Sequence, residues 1–372
     1  MSTLITSEQF LKAPKVLLHD HNDGGLRPQT MIEMAAESGY TKLPFDEPVA
    51  LQKWFVEACS EGTLELYLET FEHTISLMQT AEQVIRVNRE CAIDLARSGV
   101  VYAEVRGAPE LFTRKGLTID QVIEYTVEGY RQGMAEAKNE GYSIRVEGLL
   151  CAMRHNALAD EVAASVLKFK GRGIVGFDIA GPEMGFPPTD HIKAFNTLRN
   201  NGVRYTIHAG EAAPLESIAL AVRDCHASRI GHGIRLIDDI AFADGEAKLG
   251  DLAQEILDKQ IALEMAPTSN LQTGGAASYA EHPIGVMKEL GFNVTINTDN
   301  RLMSNTSMVA EMTHIATAHN WSLSDLQGVT ENAINAAFIS AEEIADILKK
   351  RFVQAMRRWK IYDRFYKYRG NQ

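Results

Sequence analysis

Eight short apolar runs, rich in β-branched residues, recur along this chain. Each ends in polar residues, and longer stretches with helical spacing separate them. Val16-Leu17-Leu18 runs into His19-Asp20-His21, and residues 100–105 run into Arg106. Residues 144–151 lead to Arg154-His155, residues 174–177 to Asp178 and Gly181, and residues 204–207 to His208. Arg229-Ile230-Gly231 reaches His232, residues 262–265 reach Thr268-Ser269-Asn270, and residues 293–296 reach Asn297-Thr298-Asp299-Asn300. Strands that alternate with helices pair in parallel. Eight of them in 372 residues predict an α/β protein, a (β/α)8 TIM-type barrel in a single domain over residues 1–372. A doubly wound open sheet is the second choice, since it leaves edges and needs a different strand count. In a barrel the chemistry sits at the C-terminal strand ends, where this chain places its histidines and carboxylates.

Residues 22–99 are too long for one loop. Leu64, Tyr67, Leu68, Phe71 and Ile75 have helical spacing, which predicts a helix over 64–78. A second is expected from about Ala81 to Ser98. This helical insertion after strand 1 can cover the barrel mouth as a lid, and its aromatic residues serve equally well as plain core. Residues 349–369 are basic and carry an apolar stripe of Phe352, Met356, Trp359, Tyr362 and Tyr366. They read as a C-terminal helix docked on the barrel.

With 49 acidic against 37 basic side chains the net charge is −12, which disfavours nucleic acid as a partner. No apolar run is long enough for a membrane span. The N-terminus lacks the basic start and apolar stretch of a secretory signal. The four cysteines form no Cys-x-x-Cys pair and read as reduced, buried thiols. The expected compartment is the cytoplasm.

Residues two apart on a strand face the same side, so His19 and His21 point together, as half of a metal site does. His208 ends the fifth run and Asp299 the eighth, so three imidazoles and one carboxylate can converge on one ion. That donor set suits Zn2+ with a position left for water, whose pKa falls to about 7 when the ion holds it. Glu211, three residues past His208, is a candidate proton donor to a substrate nitrogen; an ordinary helix-start Glu is the alternative. His232, between Gly231 and Gly233, is placed to orient or deprotonate that water. Asp23 is either a binder of a substrate hydroxyl or a turn residue before Gly24-Gly25. Gly171-Arg172-Gly173-Ile174-Val175-Gly176 matches a dinucleotide fingerprint in letters only, because its glycines precede a strand instead of opening a helix.

Eight pieces, in this order and spacing, carry a family resemblance: residues 18–28, 101–106, 153–155, 176–181, 208–211, 229–233, 267–270 and 297–304. The chain resembles adenosine deaminases of the amidohydrolase superfamily, the bacterial ones most. The resemblance implies zinc-dependent hydrolytic deamination of adenosine and 2′-deoxyadenosine to inosine and ammonia. One Zn2+ per chain is then held by His19, His21, His208 and Asp299. His232 and Asp299 place a hydroxide at C6 of the purine, and Glu211 protonates N1. Gly181 contacts N3 through its backbone, Asp23 the ribose, and Asn300 donates to N7, while Tyr67 and Phe71 cover the nucleoside. The expected partner is a small purine nucleoside. Deamination of free adenine or another 6-aminopurine nucleoside, and silent nucleoside binding, are the alternatives. The family usually carries Leu where Asn22 stands, and many members carry Asp where Asn300 stands.

Overall fold

The computed structural model describes residues 6–243 and 245–352. Ten strands occur among them: β1 (Lys15–His21), β2 (Val100–Gly107), β3 (Arg145–Met153), β4 (Ile174–Ala180), β5 (Thr206–Ala209), β6 (Arg229–His232), β7 (Ile240–Ala243), β8 (Glu246–Leu249), β9 (Ala262–Met265) and β10 (Val294–Ile296). Every predicted run forms a strand. The short antiparallel pair β7–β8 is additional; its exposed Phe242 belongs to no apolar run.

The eight remaining strands form two parallel four-stranded sheets, ordered β1-β2-β3-β4 and β10-β9-β6-β5. Their edges meet at two seams. Asp20 bridges to Asp299, and Phe177 bridges to Tyr205, both in parallel. At the first seam the His21 N–H donates to the Asp299 carbonyl (2.8 Å) and the Asp299 N–H to that of His19 (3.0 Å). Parallel strands covered on both faces need apolar residues throughout, and β2 is buried at every position. The connecting helices start on cues written in the sequence. Thr80 with Gln83 and Thr118 with Gln121 form reciprocal capping boxes for the helices Ala81–Arg97 and Ile119–Asn139.

Five helices lie between β1 and β2: Pro28–Ser38, Pro48–Ala58, Leu64–Glu69, Phe71–Ser76 and Ala81–Arg97. The helix expected over 64–78 is thus split at Thr70, whose hydroxyl donates to the Tyr67 carbonyl (2.8 Å); such local bonding competes with the helical ladder. Tyr67 is buried in an apolar cluster with Leu51, Phe55, Met78, Leu302 and Met303, and Phe71 packs against that cluster. Leu302 and Met303 follow the β10 end directly, so these helices lie beside the strand ends. The basic C-terminal segment lies, beyond residue 352, outside the described residues. Among the described residues no helix is long and apolar enough to cross a membrane. Two glycines of the false fingerprint, Gly171 and Gly173, precede β4 with φ of +75° and +97° in the turn that starts the strand, and Gly176 lies within it.

Candidate active site

At the C-terminal strand ends, His19, His208, His232 and Asp299 present possible ligand atoms that all lie within 4.8 Å of one another, and all four residues are buried. His21 stands at the edge of this group, with Nε2 3.2 Å from Asp299 Oδ1. The strand alternation explains the pair His19 and His21. The other members come from strands that end early. His232 and Asp299 have φ of +61° and +54°, left-handed values that are uncommon for non-glycine residues.

Behind the imidazoles runs a buried ionic network. Glu264 Oε2 is 3.1 Å from His19 Nδ1, and Asp178 Oδ2 is 2.9 Å from His208 Nδ1. Arg106, wholly buried, binds Asp178 and Glu264 together, and Arg229 joins Glu264 to Glu104. Ser269 Oγ donates to Asp299 Oδ2 (2.7 Å). The donor set fits a metal. Histidine nitrogens and a carboxylate suit a zinc-like ion, second carboxylates behind the histidines are the usual support for such ligands, and His19 Nε2 is buried without a hydrogen-bond partner.

Glu211 Oε2 lies 3.5 Å from His232 Nε2. Burial lifts its carboxyl well above the ordinary range, and Asp299 and Glu183 add to the effect while Arg154 opposes it. Glu183 holds the turn that carries Glu211. Its carboxylate accepts from the backbone N–H groups of Gly210, Glu211, Ala212 and Ala213 and from Ser217 Oγ.

The other expected site residues surround this centre. Asp23 is buried with Oδ1 unpartnered, and burial pushes its carboxyl up to about 7. Asn300 is buried with Oδ1 unpartnered; a Cβ on Gly24 would come within 1.9 Å of that oxygen, so only glycine fits there. Gly181 follows β4 with φ of +104°. Tyr67 is buried 6.2 Å from Phe71, ring to ring, and Asp299 is among the charges acting on its hydroxyl. Asn22 also finds an explanation: its amide donates to Asn88 Oδ1 (3.0 Å) on the helix Ala81–Arg97, a buried polar pair.

Arg106, Asp178, Glu264, Ser269 and Asn270 stand in the runs and motifs of the sequence without a task assigned to them, and Glu183 stands in none. Glu264 was legible there, being a charged residue inside the apolar run 262–265. For Glu183 there was no local signal.

With this geometry in view, the comparisons decide the family. The adenosine deaminase family matches residues 14–352. The chain belongs to the adenosine deaminase family. It is 50% identical over 357 residues to adenosine deaminase 1 of Streptomyces coelicolor, covering 95% of this chain and 90% of that one. It is 49% identical to the adenosine deaminase of Mycobacterium sp. (strain KMS), covering 95% and 99%. Solved structures share the fold at lower identity. Adenine deaminase from Arthrobacter aurescens gives a TM-score of 0.78 at 23% identity over 93% of this chain and 99% of that one. An amidohydrolase from Burkhoderia ambifaria with bound Zn gives 0.80 at 22% over 95% and 93%.

Proposed function

We propose that this chain hydrolytically deaminates adenosine and 2′-deoxyadenosine, releasing ammonia and leaving inosine or its deoxy counterpart. The observation that carries the reading is the buried group of His19, His208, His232 and Asp299 in a member of the adenosine deaminase family. The two seams between the parallel sheets support a closed (β/α)8 barrel, with the site at its C-terminal mouth.

His19, His21, His208 and Asp299 would hold one zinc ion. When bound, the ion supplies Lewis-acid chemistry and makes water nucleophilic near neutral pH. The protein residues then divide the remaining work. Glu211 holds a proton at its carboxyl oxygen and gives it to N1 of the purine, which lets C6 become tetrahedral. Asp23, with one carboxylate oxygen unpartnered, accepts from a ribose hydroxyl. The Gly181 N–H meets N3, and the Asn300 amide donates to N7 without the raised pKa that an Asp would need for this. Tyr67 and Phe71 exclude water over the nucleoside. Four buried cysteines without disulfides agree with a cytoplasmic home.

Inosine formation tests the reading. Zinc-loaded protein is expected to convert adenosine, to lose turnover on chelation and to regain it with zinc. Zinc-loaded protein that leaves adenosine unchanged would point to a silent binder or to another purine.

A further inference from the structure

Two of the buried imidazoles are backed by carboxylates, and a third is not. Glu264 stands behind His19 Nδ1 and Asp178 behind His208 Nδ1. A carboxylate only accepts, so His19 Nδ1, hydrogen-bonded to Glu264, carries its ring proton and its Nε2 turns a lone pair towards the centre, while Asp178 is the ion-pair partner 2.9 Å from His208 Nδ1. Behind His232 stands Asn270 instead, with its amide nitrogen 2.9 Å from His232 Nδ1.

An amide can be turned either way, and its neighbours decide which. The Ala266 N–H donates to Asn270 Oδ1 at 3.3 Å, which assigns that atom as the oxygen. His282 gives the same answer. The Ile284 N–H donates to His282 Nδ1 at 3.2 Å. The proton of that ring therefore sits on Nε2, which is 3.1 Å from Asn270 Oδ1. Backbone N–H groups thus set both the amide and the second ring. Asn270 Nδ2 only donates, so His232 Nδ1 must accept. Neither an imidazolium nor the Nδ1–H form fits. The ring proton of His232 is on Nε2, the nitrogen that faces Glu211. His232, Asn270 and His282 are all buried, which excludes bulk water as a competing partner.

We infer that Asn270 and His282 are positioning residues that hold His232 as an Nε2–H donor at the reaction centre, neither a metal ligand nor a general base. The catalytic meaning rests on the deaminase reading above; the tautomer does not. In that reading the Nε2–H donates to one lone pair of the attacking water and leaves another aimed at C6. The hydrogen-bond partner of Nδ1 thereby separates His232 from its two carboxylate-backed neighbours, with which it shares the buried cluster.

Nitrogen NMR of histidine-labelled, zinc-loaded full-length protein reads the tautomer without turnover. His232, assigned by the signal lost in His232→Gln, is expected to show a protonated Nε2 and a bare Nδ1. Asn270→Asp, which offers only acceptors, should invert that pattern. It should also lower kcat for adenosine about 10–100-fold, with KM and zinc content little changed. His282→Gln, whose amide still donates to Asn270, should recover turnover lost in His282→Ala. In protein loaded with NMR-active cadmium, His19, His21 and His208 should couple to the metal and His232 should not. A proton on Nδ1 of wild-type His232, or coupling of His232 to cadmium, overturns the inference. Wild-type protein that shows the expected tautomer but does not turn over adenosine would instead count against the deaminase reading, and a variant that loses turnover with the tautomer intact overturns the inference.

Discussion

Strands β1 to β4 run for seven, eight, nine and seven residues, whereas β5, β6, β9 and β10 run for four, four, four and three. The long strands keep the chain extended, and β1 carries His19 and His21 on one face. The short ones end early: His232 closes β6, and the turns after β5 and β10 carry Glu211 and Asp299. Two of these three have left-handed backbone, which costs an L-residue about 1–3 kcal/mol. The surrounding hydrogen bonds hold them there: the Asp299 N–H is tied to the His19 carbonyl and the Gly233 N–H to that of Ala209 (3.1 Å). Both sheets thus deliver side chains to the site, but its left-handed non-glycine residues, His232 and Asp299, belong to the short-strand half.

Substitutions in the two halves should therefore fail differently. The largest effect on rate belongs to the short-strand half. Glu211→Gln should keep the fold and metal binding but remove the proposed N1 proton donor, so kcat should fall by roughly 10²–10⁴-fold; near-normal turnover would remove Glu211 from the mechanism. The largest effect on stability belongs to the long-strand half. Arg106→Met leaves the buried carboxylates of Asp178 and Glu264 without their shared cation. Urea unfolding should show a loss of about 3–5 kcal/mol, and a loss below 1 kcal/mol would mean that the network is not holding the strands.

Two smaller effects sharpen the contrast. Asp23→Ala removes the proposed acceptor for the ribose, about 1–3 kcal/mol, or roughly 5–150-fold in kcat/KM for adenosine. Any turnover of adenine should be unaffected, and equal losses on both would show that Asp23 does not read the sugar. Lys15, at the start of β1, is fully buried with its ammonium on the Ala13 carbonyl (2.7 Å). Burial lowers its pKa to about 7 from 10.5. Between those values the unfolded chain binds a proton that the folded chain does not, so stability should rise with pH across that window. Lys15→Met should abolish that rise, and an unchanged slope would place its origin elsewhere.

The legible parts of this molecule are those written locally. Each run that ends in a polar residue became a strand whose end lies at or beside the site, because one short segment holds both the β-propensity and the side chain that it delivers. Thr80-x-x-Gln83 announced its helix start in the same way. What stayed hidden depends on residues far apart or on competing local bonds. His19 and Glu264 are 245 positions apart, and nothing near either names the other. His282 lies on a loop with no pattern around it, yet it sets the orientation of Asn270. The break at Thr70 comes from a hydroxyl bonding its own backbone, which apolar spacing does not register.

Whether this chain is a purine nucleoside deaminase is decided by ammonia release from adenosine, 2′-deoxyadenosine, adenine, AMP and cytidine with zinc-loaded protein. Rapid release from the two purine nucleosides, and none from adenine, AMP or cytidine, is expected. Release from adenine alone, or from none of the five with zinc bound, would contradict it.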